Sequence, residues 1–567
     1  MLLADDAFPC TEEKGYVLQR WVSWGSRLSE PKHVSDYDYI VVGGGSSGCV
    51  TASKLVREFG ARVLLIEAGP EKSHRVLGMP AGYMKFLASD AYLTMHKSSP
   101  QAQLDGRAPI IPQGRVLGGG SAVNAMVYMR GQAADYDRWD RYLGQGSGWS
   151  YRDILPHFKK QEDNDHLGGE FHGVDGPLKV SHLAHHCAMS RAFVKAVQEL
   201  GYPHNPDFNG AHQRGVGFMQ HTIDPQTRRR CSARDAFLVP LLGNPKLTLV
   251  TEASVTGIII ENGHAAGVRY HKGGHDHEAH ASAEIILTAG SYITPKLLML
   301  SGVGPAAHLK EHGIATKVDL PGVGQNLQDH HEVPVIAAAK GPHGYFGQDR
   351  GWNMLRNGLQ YLLFRSGPVA TTGVEACAFV DPQNSGEEGT VQLYCVPTVY
   401  IDRDISGVEP CEGVTLTPGV MRPKARGSVT LRSADPTDPP LVDCNFFGHP
   451  DDLKLQVAGV RLAREIMKTP PMRDLVQHEL FPGADKTTDQ DLEAHCKRMV
   501  KTTYHPVGTC HMGPDSDAMA VLDERLRVRG VDKLRVFDLS MMPSLVSGNT
   551  NAPAMAIADR AVTLMMS

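Results

Sequence analysis

No two cysteines in this chain stand as C-x-x-C. Its ten cysteines are scattered at 10, 49, 187, 231, 377, 395, 411, 444, 496 and 510. That spacing excludes zinc-ribbon and thioredoxin-type sites. Dispersed thiols in a large chain point to a reducing compartment with buried sulfurs. No run of about 18 apolar residues occurs, so no transmembrane helix is expected. The start, Met1 to Asp6, lacks the basic stretch and apolar core of a signal peptide. Charge of one sign is not in excess: 57 Lys and Arg face 62 Asp and Glu, a net of −5. Bulk electrostatics therefore give no reason to expect nucleic acid or an anionic membrane as a partner. The expected location is cytoplasmic, with peripheral contact at a membrane left open. There is no internal repeat and no low-complexity tract.

What is abundant is glycine, 59 of 567 residues. Glycine suits close backbone approach to a ligand. Tyr37 to Val42 reads as a buried strand, followed by Gly43-x-Gly45-x-x-Gly48 and a helix-compatible run through Leu55-Val56. Arg62 to Glu67 reads as a second strand. This is a β-α-β unit of about thirty residues. Its first glycine makes a tight turn, its second lets backbone N–H groups approach a pyrophosphate, and its third allows helix–strand packing. The helix N-terminus attracts the phosphate charge. Glu67, 19 residues after Gly48, is placed for a ribose hydroxyl. The fingerprint alone does not separate FAD from a nicotinamide.

Two further glycine-rich loops follow, at 114–124 and 290–304, and suggest a ligand longer than a pyrophosphate. Leu247 to Val250, Ser254 to Glu261 and Glu284 to Ala289 read as strands, and Pro295 to Ser301 as a helix. His271 to His280 reads as a polar hairpin loop, and its four histidines as solvated rather than metal-binding. Tyr16 to Val22 reads as a short helix. Residues 335–500 change texture, alternating strand-like Val391 to Cys395 with helical Leu453 to Met467, which suggests a second domain. Four segments are expected: an extension at 1–35; the main cofactor-binding part at 36–334, with substrate-domain insertions within 150–225; a substrate-binding part at 335–500; and a return to the cofactor domain at 501–567.

Near the end stand Tyr504-His505-Pro506-Val507-Gly508-Thr509-Cys510 and Asn549-Thr550-Asn551-Ala552-Pro553. On bare residues, His505 is a core histidine before a proline and Asn549 a turn residue. With the 114–137 segment, which includes Asp137, and the 290–304 loop, these motifs form an ordered set. The set resembles the glucose–methanol–choline (GMC) oxidoreductase family, from about Asp36 to Met566. The texture is that of the choline-dehydrogenase-like subgroup.

The resemblance implies an α/β (α+β) fold: a Rossmann-like FAD-binding domain plus a substrate domain on an antiparallel sheet. It implies FAD, with Gly43, Gly45, Ser46, Ser47 and Gly48 at the pyrophosphate, and Glu67 and Ala68 at the adenosine ribose. Arg115, Gly118, Gly119, Ser121, Asn124 and Ala125 would lie along the flavin. Val255 would meet the adenine through its backbone, and Asp538, Asn551 and Pro553 would close the site. Choline oxidase carries a flavin-linking His in the region matching 118–125. This chain has Val123 there, so noncovalent FAD is expected.

The implied reaction is oxidation of a primary or activated alcohol to an aldehyde, with a dehydrogenase slightly favoured over an oxidase. A neutral imidazole suits removal of the hydroxyl proton near pH 7, and His505 takes that role. Asn549 cannot titrate and is assigned orientation and stabilisation. Glu375 aligns with an acid that contacts the substrate ammonium in choline oxidase. His330-His331 reads as structural, with a place lining the site left open, His511 as structural, and Arg228-Arg229-Arg230 as a solvated loop or, alternatively, a dock for an acidic partner. The electron acceptor is oxygen or a quinone-type compound. A lyase or photoenzyme of the same fold is the alternative. No metal and no nucleic acid are expected.

Overall fold

The computed structural model describes residues 36–72, 74–86, 90–401 and 409–567. The helix expected at Tyr16 to Val22 lies outside them.

Tyr37–Val42 and Val63–Ile66 pair in parallel, with Val42 opposite Ile66. Leu247–Val250 continues the sheet beside Val63–Ile66. On the other side Val42 sits opposite Leu287, and Leu287 opposite Val536 of Leu534–Val536. Valine, leucine and isoleucine fill these strands, as burial on both faces requires. The matched register brings four chain ends to one edge: Gly43, Glu67, Thr288 and Phe537 each follow the last residue of a parallel strand. In an open parallel sheet that edge is where ligands bind.

The strand expected at Glu284 to Ala289 is the end of a longer one, His275–Leu287. With His264–Lys272 and Ser254–Glu261 it forms an antiparallel extension. His271 to His280 is therefore mostly strand, turning only at Gly273-Gly274, both at positive φ. The sequence reading made the loop too long because its histidines and acids hide the alternation.

Ser46–Phe59 covers one face of this sheet. It packs along the last helix, Asn551–Met566, with Lys54 Nζ 2.8 Å from Asp559 Oδ2 in a buried ion pair. Gly48 permits this placement, since a Cβ there would fall 1.9 Å from the Gly43 carbonyl oxygen.

A second sheet is wholly antiparallel along its main path. Its order is Val476–Phe481, Val335–Ala339, Gly413–Val420, Val391–Val396, Ala376–Val380, Gly215–Phe218. The helix Pro450–Lys468 packs on it. At its edge two short strands meet: His331–Glu332 pairs with Lys501–Thr502, His331 opposite Thr502. That pairing brings residues 329–331 against 501–505.

Candidate active site

The cradle at the strand edge comes first. Gly118 N–H donates to the Gly44 carbonyl at 2.7 Å, laying the second glycine loop on the first. Gly119 has φ +52, and a Cβ there would sit 2.7 Å from Gly45 Cα. Above Gly45 itself a Cβ would meet nothing nearer than 3.9 Å, and above Gly120 nothing within 4 Å. The helix at Ser46 has no side-chain cap, nor has the one at Asn551, so both present free N–H groups. Ser46 Oγ donates to Asn551 Oδ1 at 2.8 Å, which ties the two N-termini together. Uncapped helix starts over an open glycine floor fit a pyrophosphate. The residues present fit a bound dinucleotide such as FAD.

The other expected cofactor residues distribute around this floor. Glu67 is buried, and its carboxylate accepts from Gly44 N at 2.8 Å and Gly69 N at 2.7 Å. Burial raises its pKa, and those two donors oppose the rise. Ala68 follows it, half-buried, and Ser47 Oγ donates to the Ala554 carbonyl. Arg115 is exposed at the loop's rim, and Ala125 and Val255 are half-buried. Ser121 Oγ is used within the loop, donating to the Gly118 carbonyl at 2.6 Å. Pro553 is buried in the first turn of the last helix. Asp538 holds the third loop: Oδ2 accepts from Gly290 N and Thr294 Oγ1, and Oδ1 from Ser540 N and Oγ. Its side chain is thus occupied by protein donors.

Beside Asn124 the reading of the basic run is corrected. Asn124 Oδ1 accepts from Arg230 at 2.8 Å, and the same guanidinium donates to the carbonyls of Leu77, Ser121 and Asn124. Arg230 is buried, and burial lowers its pKa to about 10. The basic run is therefore no solvated loop. Arg230 is an internal brace, and only Arg228 and Arg229 reach the surface region, half-buried. Three adjacent arginines give no sequence sign of which one turns inward.

The catalytic candidates meet across the two sheets. Asn549 Nδ2 lies 3.4 Å from His505 Nε2, although 44 residues separate them. His505 Nδ1 is 3.0 Å from His330 Nδ1, and His330 Nε2 is 3.0 Å from the Met421 carbonyl. A carbonyl only accepts, so His330 carries its proton on Nε2. Its Nδ1 is then a bare acceptor in the neutral ring. Hence His505 Nδ1 carries the proton and donates, with Thr503 Oγ1 also 3.0 Å away. The His505 Nε2 lone pair is left facing Asn549. Burial holds His330 well below the ordinary histidine value and pulls His505 to about 3, so both rings are neutral at pH 7.

The amide of Asn549 is fixed in the complementary sense. Tyr394 OH donates to its Oδ1 at 2.9 Å, with Gln392 Nε2 at 3.5 Å. Gln392 and Tyr394 are two apart on one strand and so share a face. The segment before Asn549 is pinned by buried Asp135, whose Oδ2 accepts from Ser547 N at 2.7 Å. Asp329 holds the backbone of His505: its Oδ1 accepts from His505 N at 2.9 Å and its Oδ2 from Thr502 Oγ1 at 2.5 Å. Burial raises the Asp329 pKa to about 7.

Sequence reasoning placed His505 and Asn549 as a pair but missed Tyr394, Gln392 and Asp329. For His330 it took a structural role as the default and a place lining the site as the alternative; the ring touches His505. Strand alternation at Val391 to Cys395 was the available sign for the first two. Glu375 stands apart. Its carboxylate accepts from Tyr345 OH, from Thr371 Oγ1 at 2.9 Å and from Cys187 N at 3.0 Å. No hydrogen bond joins it to His505 or Asn549. His511 pairs with Asp517 at 3.1 Å, away from the pair.

The GMC oxidoreductase family's N-terminal model matches residues 37–332, and its C-terminal model matches 423–558. The chain is 40% identical over 539 residues to an alcohol dehydrogenase [acceptor] of Pseudomonas putida, covering 94% of this chain and 96% of that one. It is 39% identical to a mitochondrial choline dehydrogenase of Homo sapiens, covering 94% and 90%. Among solved structures, an FAD-dependent oxidoreductase from Chaetomium thermophilum superposes with a TM-score of 0.85 at 27% identity, covering 94% and 99%. With both halves of the family matched and the cradle and His–Asn pair in place, this chain belongs to the GMC oxidoreductases.

Proposed function

We propose that this chain oxidises a primary or activated alcohol to an aldehyde, with His505 as the base and Asn549 as its partner, and that it works as a dehydrogenase. The broader reading, an FAD-dependent alcohol oxidoreductase, follows from its family and relatives. One observation carries the base assignment: the contacts from the Met421 carbonyl through His330 to His505 Nδ1, each 3.0 Å, which favour the proton on Nδ1 and a bare Nε2 beside the Asn549 amide.

FAD, when bound, supplies the hydride acceptor. The residues fitted to hold it are the glycines at 43, 45, 48, 118 and 119, Glu67, and the starts of the helices at Ser46 and Asn551. An alcohol oxygen between His505 and Asn549 donates its proton to Nε2 and accepts from the amide. The neutral amide stabilises the forming alkoxide without competing for the proton.

Three donors already occupy most of the roughly four lone-pair sites of Glu375. Val123 supports noncovalent FAD. The names of the Pseudomonas and human relatives support the dehydrogenase assignment, with oxygen or a quinone-type compound as the acceptor. We assign 36–334, apart from insertions within 150–225 such as the strand Gly215–Phe218, and 501–567 to the cofactor half, and 335–500 with those insertions to the substrate half.

The test is the anaerobic visible spectrum with a panel of alcohols. Bleaching of the flavin band by a primary or activated alcohol is expected. His505→Ala should retain the band and slow its bleaching by about 10²–10⁴. Near-normal bleaching in that variant would refute the base assignment. Acid precipitation should release the flavin.

A further inference from the structure

The helix Gly351–Phe364 is built inside out. Its polar residues turn inward. Asn357 and Tyr361 are its buried side chains, and Asn353 and Gln360 are half-buried. Asn357 Nδ2 donates to the Gln348 carbonyl at 3.0 Å, and Tyr361 OH to the Arg228 carbonyl at 2.8 Å. Its apolar residues face out. Trp352 is 72% exposed, Leu363 70% and Phe364 73%, with Met354, Leu355, Leu359 and Leu362 exposed beside them. Seven of the sixteen exposed large hydrophobic residues among those described lie on this one helix. Trp352, Leu355, Leu359, Leu362 and Leu363 follow the 3.6-residue repeat and form one continuous stripe. Burying a large apolar side chain is worth about 1.5–3 kcal/mol, so a stripe of this size left in water marks a docking face.

Charge selects the occupant. From 349 to 365 the sequence holds three arginines, Arg350, Arg356 and Arg365, all exposed, against the single acid Asp349. Arg229 and Arg365 both act on the Tyr361 phenol, so half of the surface-reaching basic run lies on this side as well. The turn Pro368–Ala370 after the helix packs on Pro80–Lys85, which adds exposed Met84 and Lys85. A second copy fits poorly. Two-fold antiparallel pairing of this helix would place Arg356, near its midpoint, against its own copy. An anionic bilayer fits both features: apolar side chains enter the acyl boundary while long cationic ones reach the headgroups.

We propose that the 351–364 helix lies in the plane of an anionic lipid surface and docks the protein there as a peripheral membrane protein. The helix has 14 residues, and among the described residues no helix is long and apolar enough to cross a bilayer. Contact is interfacial and reversible. The inference is independent of the reaction assigned above.

The test is flotation of the flavin-loaded protein with two kinds of vesicle: phosphatidylcholine alone, and phosphatidylcholine mixed with an equal part of phosphatidylglycerol. Expected is binding to the mixed vesicles that weakens as salt is raised. The double substitution Leu359→Glu and Leu363→Glu should weaken it by about tenfold or more, leaving the flavin spectrum and turnover of a water-soluble alcohol unchanged. Absence of binding to both vesicles would overturn the proposal. So would undiminished binding of the double variant. A lipid-free dimer that the same substitutions dissociate would give this face to a second copy, and that too would overturn it.

Discussion

A histidine acts as a base only if the right nitrogen is bare, and here one carbonyl settles that two rings away. Met421 takes the His330 proton, His330 takes the one on His505, and the lone pair points at Asn549. His330→Leu removes the acceptor for Nδ1–H and frees the proton to sit on Nε2. Its flavin reduction should fall about 10–100-fold, and His330→Gln, which can accept from His505 and donate to Met421, should restore most of it. Equal loss in both variants would reduce His330 to a packing role. Tyr394→Phe tests the other half of the pair. It removes the 2.9 Å donor to Asn549 Oδ1 and leaves only Gln392 at 3.5 Å. The amide then turns more freely, and loss of one such hydrogen bond, about 1 kcal/mol, should cut the reduction rate about fivefold with little change in substrate KM. An unchanged rate would show that the amide needs no such hold. His505 and Asn549 were legible because their flanking residues repeat a family pattern. Their orienting partners were not, since those contacts span from 91 residues, His330 to Met421, to 176, Asp329 to His505, and no local spacing encodes them.

Among elements, the glycine loop was the most legible, because its chemistry is local: strand, turn and helix start lie within one short run. The roles that the fingerprint gives its glycines match what a Cβ would meet at each. Gly48 serves packing, since its missing Cβ would strike the Gly43 carbonyl oxygen. Gly45 has φ −72 and ψ −166, open to any residue, and free space above it. Gly45→Ala should therefore fold normally yet lose FAD, because the added methyl enters the cradle and nothing else. The ratio of flavin to protein absorbance after purification should drop severalfold, with the circular dichroism spectrum unchanged. Full flavin content in this variant would place the pyrophosphate elsewhere. The inverted helix at 351–364 illustrates the opposite case. Its apolar period is plain in the sequence, yet period alone does not say whether the stripe faces the core or the outside.

For the whole molecule, stretches far apart in sequence are joined where Asp329 holds Thr502 and His505, at a seam beside the short strands that fringe the antiparallel sheet. The alternation of textures hinted at two sheets. The seam itself was illegible, since it rests on two-residue strands too short to carry any pattern. This seam has a consequence for stability. Burial raises the Asp329 pKa to about 7 in the folded protein, against about 3.9 for an unperturbed aspartate. The folded state therefore binds this proton more tightly than the unfolded state. The resulting contribution to stability is full below about pH 4 and is lost as pH rises toward 7. Asp329→Asn cannot ionise and escapes that loss, though it gives up a charged acceptor. The difference in Tm, variant minus parent, should therefore move in the variant's favour between pH 5 and pH 8. Thermal melts of both flavin-loaded proteins across that range read it directly. A difference that stays flat would mean that Asp329 keeps the same charge in the folded and unfolded states, and that its hydrogen bonds to Thr502 and His505 fully offset its burial.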